Sequence, residues 1–210
     1  MNICLLGDCE SGKSSFVNLL DDKEYNKPHK TIGVDHTVIY KNTIKIKIWE
    51  LSGNIKFNEI TRHYYDQKDV FVIFFDINNI ISFKNIEHWI QQINSKTQSN
   101  NNKILLVGNK IDLERRFDII ELNTICNKYL INYVDVSIKR NINIDRCFEE
   151  IYRLYRRENI TNIPNIIRNR VISNNQPTND NYIRLEDTDE HKPNKSFLCW
   201  LKSLCCFRKV

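Results

Sequence analysis

Residues 7–14 read Gly7-Asp-Cys-Glu-Ser-Gly-Lys-Ser14 and satisfy the pattern G-x-x-x-x-G-K-[ST]. They follow a short apolar run at residues 3–6 and open a stretch at 13–20 that reads as a helix. That context makes the pattern a phosphate-binding loop. In such a loop the backbone N–H groups of Asp8, Cys9, Glu10, Ser11, Gly12, Lys13, Ser14 and Ser15, with the helix N-terminus, face a phosphate chain. Lys13 would reach the β- and γ-phosphates, and the Ser14 hydroxyl would ligate Mg²⁺. The spacing specifies a nucleoside triphosphate and leaves the base open.

A second group addresses the base. Asn109-Lys110-Ile111-Asp112 follows the apolar run at 104–107, at the carboxyl edge where ligands bind in open α/β sheets. The Asp112 carboxylate can accept from the N1–H and the 2-amino group of guanine. Adenine lacks that donor pair and would leave a buried acceptor unpaired. A P-loop kinase or ATPase is therefore disfavoured.

These residues need a scaffold. Thr43-Ile-Lys-Ile-Lys-Ile-Trp49 alternates strictly, which predicts a half-buried strand. Residues 70–75 and 104–107 are continuous apolar runs, as expected of strands covered on both faces, and residues 133–136, with Asp135 among them, are a weaker case. Between them Phe83, Ile86, Ile90 and Ile93 recur at helical spacing, with Ser82 placed to cap the start. Ile144, Cys147, Phe148, Ile151, Leu154 and Tyr155 repeat the pattern. Strands that alternate with helices predict an α/β fold with a mostly parallel sheet. The regular pattern ends near Arg157. Residues 161–196 are rich in Asn, Asp and Thr, with Pro164, Pro177 and Pro193, and read as a flexible linker. The expected organisation is a domain at 1–160, the linker at 161–196 and a tail at 197–210.

Composition narrows the classes. The chain has 210 residues and a mass of 25.1 kDa, enough for one ordinary domain and a tail. Residues 1–160 hold 23 basic and 21 acidic side chains, so a nucleic-acid binder has little support. No apolar run approaches the roughly 18 residues of a membrane-spanning helix. The start has no basic n-region and does not read as a signal peptide. The seven cysteines, at 4, 9, 126, 147, 199, 205 and 206, form no Cys-x-x-Cys pair and fit reduced thiols.

Five ordered motifs over residues 2–157 resemble the Ras superfamily of small GTPases, and in detail its Rab branch. Thr31-Ile-Gly-Val-Asp35 is similar to the Rab switch I sequence. Trp49-Glu-Leu-Ser-Gly-Asn-Ile-Lys-Phe57 is similar to W-D-T-A-G-Q-E-R-F of switch II, and Ile60-Thr-Arg-His-Tyr-Tyr65 and Ser82-Phe83 continue the match. Asp135-Val-Ser-Ile-Lys139 is similar to the E-T-S-A-K guanine loop. The resemblance implies a six-stranded, mostly parallel sheet with helices on both faces, binding GTP or GDP with Mg²⁺. It implies that Thr31 completes the metal shell and senses the γ-phosphate, and that the Gly53 N–H binds that phosphate. It makes Gly53, Asn54 and Lys13 the catalytic set. Asn109 and Lys110 would shape the base pocket, Asp112 would read guanine, and Ser137, Ile138 and Lys139 would close over it. Tyr25 would cover the base edge, one residue nearer to Thr31 than the usual aromatic.

The departures are as informative. Glu50 stands where the family has the Asp that holds Mg²⁺ through water. Its extra methylene must be absorbed in a site that favours tight octahedral geometry. Asn54 replaces the Gln that orients the attacking water, so the amide is kept but its reach is one carbon shorter. Glu10 puts a carboxylate in the phosphate loop. Cys9 lies where that loop passes the γ-phosphate. His36 replaces the Phe that ends the Rab switch I motif. A shorter span between Asp35 and Glu50 implies a clipped hairpin turn near Lys41 and Asn42. His63 and His88 read as surface residues, and Trp89 as packing.

The tail, Phe197-Leu-Cys-Trp-Leu-Lys-Ser-Leu-Cys-Cys-Phe-Arg-Lys-Val210, mixes apolar residues, three cysteines and three cations. Cys205 and Cys206 are similar to the paired cysteines that receive geranylgeranyl groups in Rab tails. A C-a-a-X box would need Cys at 207, and the residue is Phe207. S-acylation of Cys199, Cys205 or Cys206 and an unmodified amphipathic segment are the alternatives. The resemblance thus implies a GTP-hydrolysing switch in membrane trafficking, on the cytoplasmic face of an intracellular membrane and exchanging with cytosol. Its partners would be an exchange factor, a GTPase-activating protein, effectors and a prenyl-binding escort. The alternative is a GTP-holding scaffold with negligible hydrolysis.

Overall fold

The computed structural model describes residues 1–21, 30–41, 44–97 and 103–156. The elements run β1 (Asn2–Gly7), α1 (Lys13–Leu20), β2 (Val34–Lys41), β3 (Ile44–Leu51), α2 (Asn58–Thr61) between two short 3₁₀ turns, β4 (Val70–Asp76), α3 (Ile80–Lys84), α4 (Ile86–Lys96), β5 (Ile104–Asn109), α5 (Ile119–Tyr129), β6 (Asn132–Val136) and α6 (Ile144–Arg156). They form a six-stranded sheet in the order β2-β3-β1-β4-β5-β6. Of these strands only β2 runs antiparallel, paired with β3 in the register His36 to Trp49 and Lys41 to Ile44. The expected clipped turn near Lys41 and Asn42 falls in part on residues 42 and 43, which lie outside the described residues.

Burial explains the strand sequences. β1, β4 and β5 lie inside the sheet, and residues 3–7, 70–75 and 104–109 are buried without a break. β3 lies nearer the edge, so Ile46 and Ile48 point inward while Lys45 and Lys47 are exposed. On one face Cys4, Leu6, Ile73, Phe75 and Leu106 pack against Ile86, Trp89, Ile90 and Ile93 of α4 and Leu122 and Cys126 of α5. Phe74 points the other way and meets Phe16 of α1, ring centres 5.1 Å apart. α6 packs along β4, β5 and β6 through Ile144, Cys147, Phe148, Ile151 and Leu154.

Two local expectations need correction. The helix around Phe83 is capped by Asn79, not Ser82. The Asn79 carbonyl oxygen accepts from the N–H groups of Ile81 (3.0 Å) and Ser82 (3.4 Å). The Ser82 hydroxyl is buried and accepts from the Asp76 N–H instead (3.1 Å). The helical stretch is also two elements, α3 and α4, meeting at Asn85. His63 and His88 are exposed, and Cys4, Cys9, Cys126 and Cys147 are free thiols. Because five strands share one direction, the loops after β1, β3, β4, β5 and β6 converge on one sheet edge.

Candidate functional site

The loop after β1 enters α1 through Gly12, in the left-handed region at φ 108°. A Cβ there would lie 2.1 Å from Asn109 Nδ2, so the position needs glycine on two counts. No side chain caps α1, and its first-turn N–H groups stay available to an anion. Lys13 is buried, and its Nζ donates to the carbonyls of Gly7 and Asp8, both at 2.8 Å. Burial lowers the pKa of that ammonium, while Glu50, Cys9 and Asp8 oppose the shift. The carbonyl bonds hold the cation where a phosphate chain along the loop would meet it. Ser15 is buried behind it, and Cys9 is exposed. Ser11 is buried too, and its hydroxyl has no hydrogen-bond partner among the described residues.

Three oxygens from three segments meet beside Lys13. Ser14 Oγ donates to Glu50 Oε1 (2.5 Å), Thr31 Oγ1 donates to the same oxygen (2.7 Å), and the two hydroxyls are 3.2 Å apart. Glu50 is only 3% exposed. Two hydroxyls and a carboxylate are hard oxygen donors of the kind Mg²⁺ takes, so the residues fit that ion. Among the described residues, no group of three His, Cys, Asp or Glu side chains could hold a metal. A cation here would draw the rest of its shell from phosphate and water. Thr31 is tied down from behind, because its carbonyl accepts from Ser52 Oγ (2.9 Å) and the Ser52 N–H donates to Gly33 O (2.8 Å).

Gly53 lies against the phosphate loop. A Cβ on it would come within 2.4 Å of backbone atoms of Gly7, Asp8 and Cys9, so no side chain fits. The Asn54 amide is engaged locally, its Oδ1 accepting from the Lys56 N–H (3.0 Å) and capping the 3₁₀ turn at Ile55–Phe57. Glu10 has a φ of 63° and turns its carboxylate into solvent, 3.3 Å from Lys30 Nζ.

The base end is braced from within. Asn109 is buried; its Nδ2 donates to Ser11 O (2.9 Å) and its Oδ1 accepts from the Ile138 N–H (3.2 Å). One side chain therefore ties the phosphate loop to the loop after β6. Lys110 (φ 72°) pairs with Asp76 at the end of β4 (2.5 Å). Asp112 accepts from Ser137 Oγ (2.6 Å), and that bond is the main cause of a carboxyl pKa below its ordinary value. Ser137 also accepts from the Arg140 N–H (3.2 Å), while Lys139 is exposed. Tyr25, the stretch at 161–196 and the tail with Cys205 and Cys206 lie outside the described residues.

Thus Lys13, Ser14, Thr31, Glu50 and Gly53 form one group at this edge of the sheet, and Asn109, Lys110, Asp112, Ser137 and Ile138 another, joined through Asn109 and Ser11. The motif of the Ras family matches residues 2–157. The chain belongs to the Ras family. It is a Rab-like small GTPase, similar to the Ras-related protein RabT2 of Dictyostelium discoideum (31% identical over 186 residues, covering 83% of this chain and 85% of that one). It is similar also to the Ras-related protein Rab-1 of Theileria parva (34% over 170 residues; 77% and 76%) and the GTP-binding protein YPTM1 of Zea mays (32% over 153 residues; 70% and 73%). Ras-family members in general bind guanine nucleotides with Mg²⁺, and Rab-like members meet exchange factors, activating proteins and effectors.

Sequence reasoning overlooks several supporting residues of this Ras-like site. Asp76 holds Lys110, Ser52 holds Thr31, and Asn85 and Trp89 both reach Asp8. Trp89 is buried as expected of packing, yet its indole N–H is also a donor to the phosphate loop.

Proposed function

We propose that the chain is a Rab-type switch that binds GTP through residues 8–15, 25, 31, 53, 109, 110, 112 and 137–139 and hydrolyses it slowly to GDP and phosphate. The observation that carries the reading is Asn109, whose two amide atoms link the phosphate loop to the guanine loop. A single nucleotide could then engage both at once. Lys13 neutralises β- and γ-phosphate charge, Asp112 accepts from guanine, and the Gly53 N–H and Thr31 respond to the γ-phosphate and order the switches. Ser14 and Thr31, with Glu50 through water, would hold Mg²⁺, which would supply charge neutralisation to the phosphate chain.

Slow turnover rests on Asn54 and Glu50. Catalysis of phosphoryl transfer is mostly positioning and electrostatics. An amide one carbon short, and already accepting from Lys56, is poorly placed to orient water. The same observation favours the second reading, a GTP-holding scaffold. We further propose residues 1–160 as the switch domain, 161–196 as a linker and 197–210 as a membrane tail lipidated at Cys205 and Cys206. Two anchoring signals suffice for stable attachment. The protein would then regulate vesicle traffic on the cytoplasmic face of an intracellular membrane. Among the described residues, no helix is long and apolar enough to cross a membrane.

Competition binding tests the core of the reading. GTP and GDP should displace a labelled guanine nucleotide, whereas ATP should not. Equal displacement by ATP and GTP would overturn it.

A further inference from the structure

Asp8 puts a carboxylate into the loop that must cradle phosphate, one residue after β1. Like charge at that place would repel the ligand unless the side chain were held elsewhere. The structure holds it. Asp8 Oδ1 accepts from Trp89 Nε1 (2.9 Å) and Oδ2 accepts from Asn85 Nδ2 (2.8 Å). Both donors come from the start of α4, some 80 positions along the chain. Each carboxylate oxygen thus has its own donor. Trp89 is buried and anchored among Ile86, Ile90 and Ile93, so its indole N–H has a fixed address. The Asp8 backbone is pinned from the other side, since its carbonyl accepts from Lys13 Nζ and Gly53 packs against its carbonyl carbon.

We propose that Asn85 and Trp89 are positioning residues for nucleotide binding: they hold the Asp8 carboxylate out of the phosphate cradle and fix the loop against α4. The inference rests on the reading of this loop as a phosphate site. Bonds from neutral donors to a carboxylate are charge-assisted, and two of them fix the rotamer as well as the charge. Freed from α4, Asp8 would regain its rotamers and bring its charge nearer the phosphates. The loop would also lose both of these ties to the helix.

The test is release of a labelled GDP from the full chain. Trp89→Phe keeps ring packing and removes the indole N–H, and Asn85→Ala removes the amide. The double variant should release GDP on the order of ten-fold faster or more, given the usual strength of hydrogen bonds to charged groups. Adding Asp8→Ala should recover most of that loss, because the repelling charge is then gone. A merely structural role for Trp89 predicts no such recovery, so an unrescued triple variant overturns the proposal, as does a double variant that releases GDP at the parental rate. In the unmodified protein, the Trp89 indole N–H should exchange slowly in proton NMR and shift between GDP and a GTP analogue. Fast exchange in both states would overturn the proposal even if the variants fail to fold. If the unmodified protein binds no GDP at all, the phosphate-site reading falls first and the positioning role falls with it.

Discussion

At the base end, Asn109, Lys110, Asp112 and Ser137 match the Ras-family motifs and are held by internal hydrogen bonds to Ser11, Ile138, Asp76 and one another. At the phosphate end, Cys9, Glu10, Glu50 and Asn54 depart from those motifs, though Lys13, Ser14, Thr31 and Gly53 keep them. Each departure changes reach or charge without removing a group that grips nucleotide. Glu50 still meets both hydroxyls, and Glu10 turns outward to Lys30. Asn54, the position proposed to serve hydrolysis, spends its amide on its own turn. On the proposed reading, recognition and turnover are separable, and substitutions at the two ends should fail in different ways.

The largest effect should come at the base end. Asp112→Ala should weaken guanine nucleotide by about 3–6 kcal/mol, two charge-assisted bonds at roughly 1.5–3 kcal/mol each, measured by competition titration. ATP binding by the same variant should change little, which sharpens the contrast with the phosphate end.

Ser137→Ala comes next. Its hydroxyl lowers the Asp112 pKa, so the native protein holds the ionised form more firmly than the unfolded chain does. That contribution is present above the ordinary carboxylate pKa and is lost as pH falls through the depressed native value. Without Ser137 the loss should begin at higher pH. Guanine affinity should also fall on the order of ten-fold at neutral pH. GDP titrations between roughly pH 3.5 and 7 would show the acid limb move upward; an unmoved limb would mean that Ser137 does not brace Asp112.

The smallest effect belongs to Glu10. Its pair with Lys30 is exposed on both sides, and such pairs are worth about 0–1 kcal/mol. Glu10→Gln should change GDP release by no more than a few-fold, and added salt should erase the difference. A large, salt-independent change would place the carboxylate inside the phosphate cradle and blur the contrast between the ends.

Much of this architecture is legible in the sequence because its signals are local. The P-loop is one continuous stretch joining β1 to α1, the alternation at residues 44–49 lies within β3, the apolar runs at 70–75 and 104–107 lie within β4 and β5, and α1 spans the residues expected of it. The cap before Phe83 is ambiguous because Asn79 and Ser82 both qualify by type, and only the fold reveals that the Ser82 hydroxyl serves Asp76. A signal for α5 is present, since Asp118 is followed by Ile119, Leu122 and Cys126, and Asp118 caps the helix by accepting from the Ile120 N–H (2.8 Å). Asp8, Asn85 and Trp89 are different. No spacing rule joins residues so far apart, and only the packing of α4 beside β1 brings them together.

Asn54 offers the most direct test that binding and turnover are separate. Protein loaded with γ-labelled GTP would be followed through one turnover, with bound nucleotide and released phosphate counted together. The unmodified chain should keep its GTP bound and release phosphate slowly. Asn54→Gln should release phosphate faster, by roughly ten- to a hundred-fold, if restoring the missing carbon lets the amide reach the water. Retention of nucleotide should be the same in both proteins. Rapid hydrolysis by the unmodified chain, or an Asn54→Gln variant no faster than it, would contradict the account.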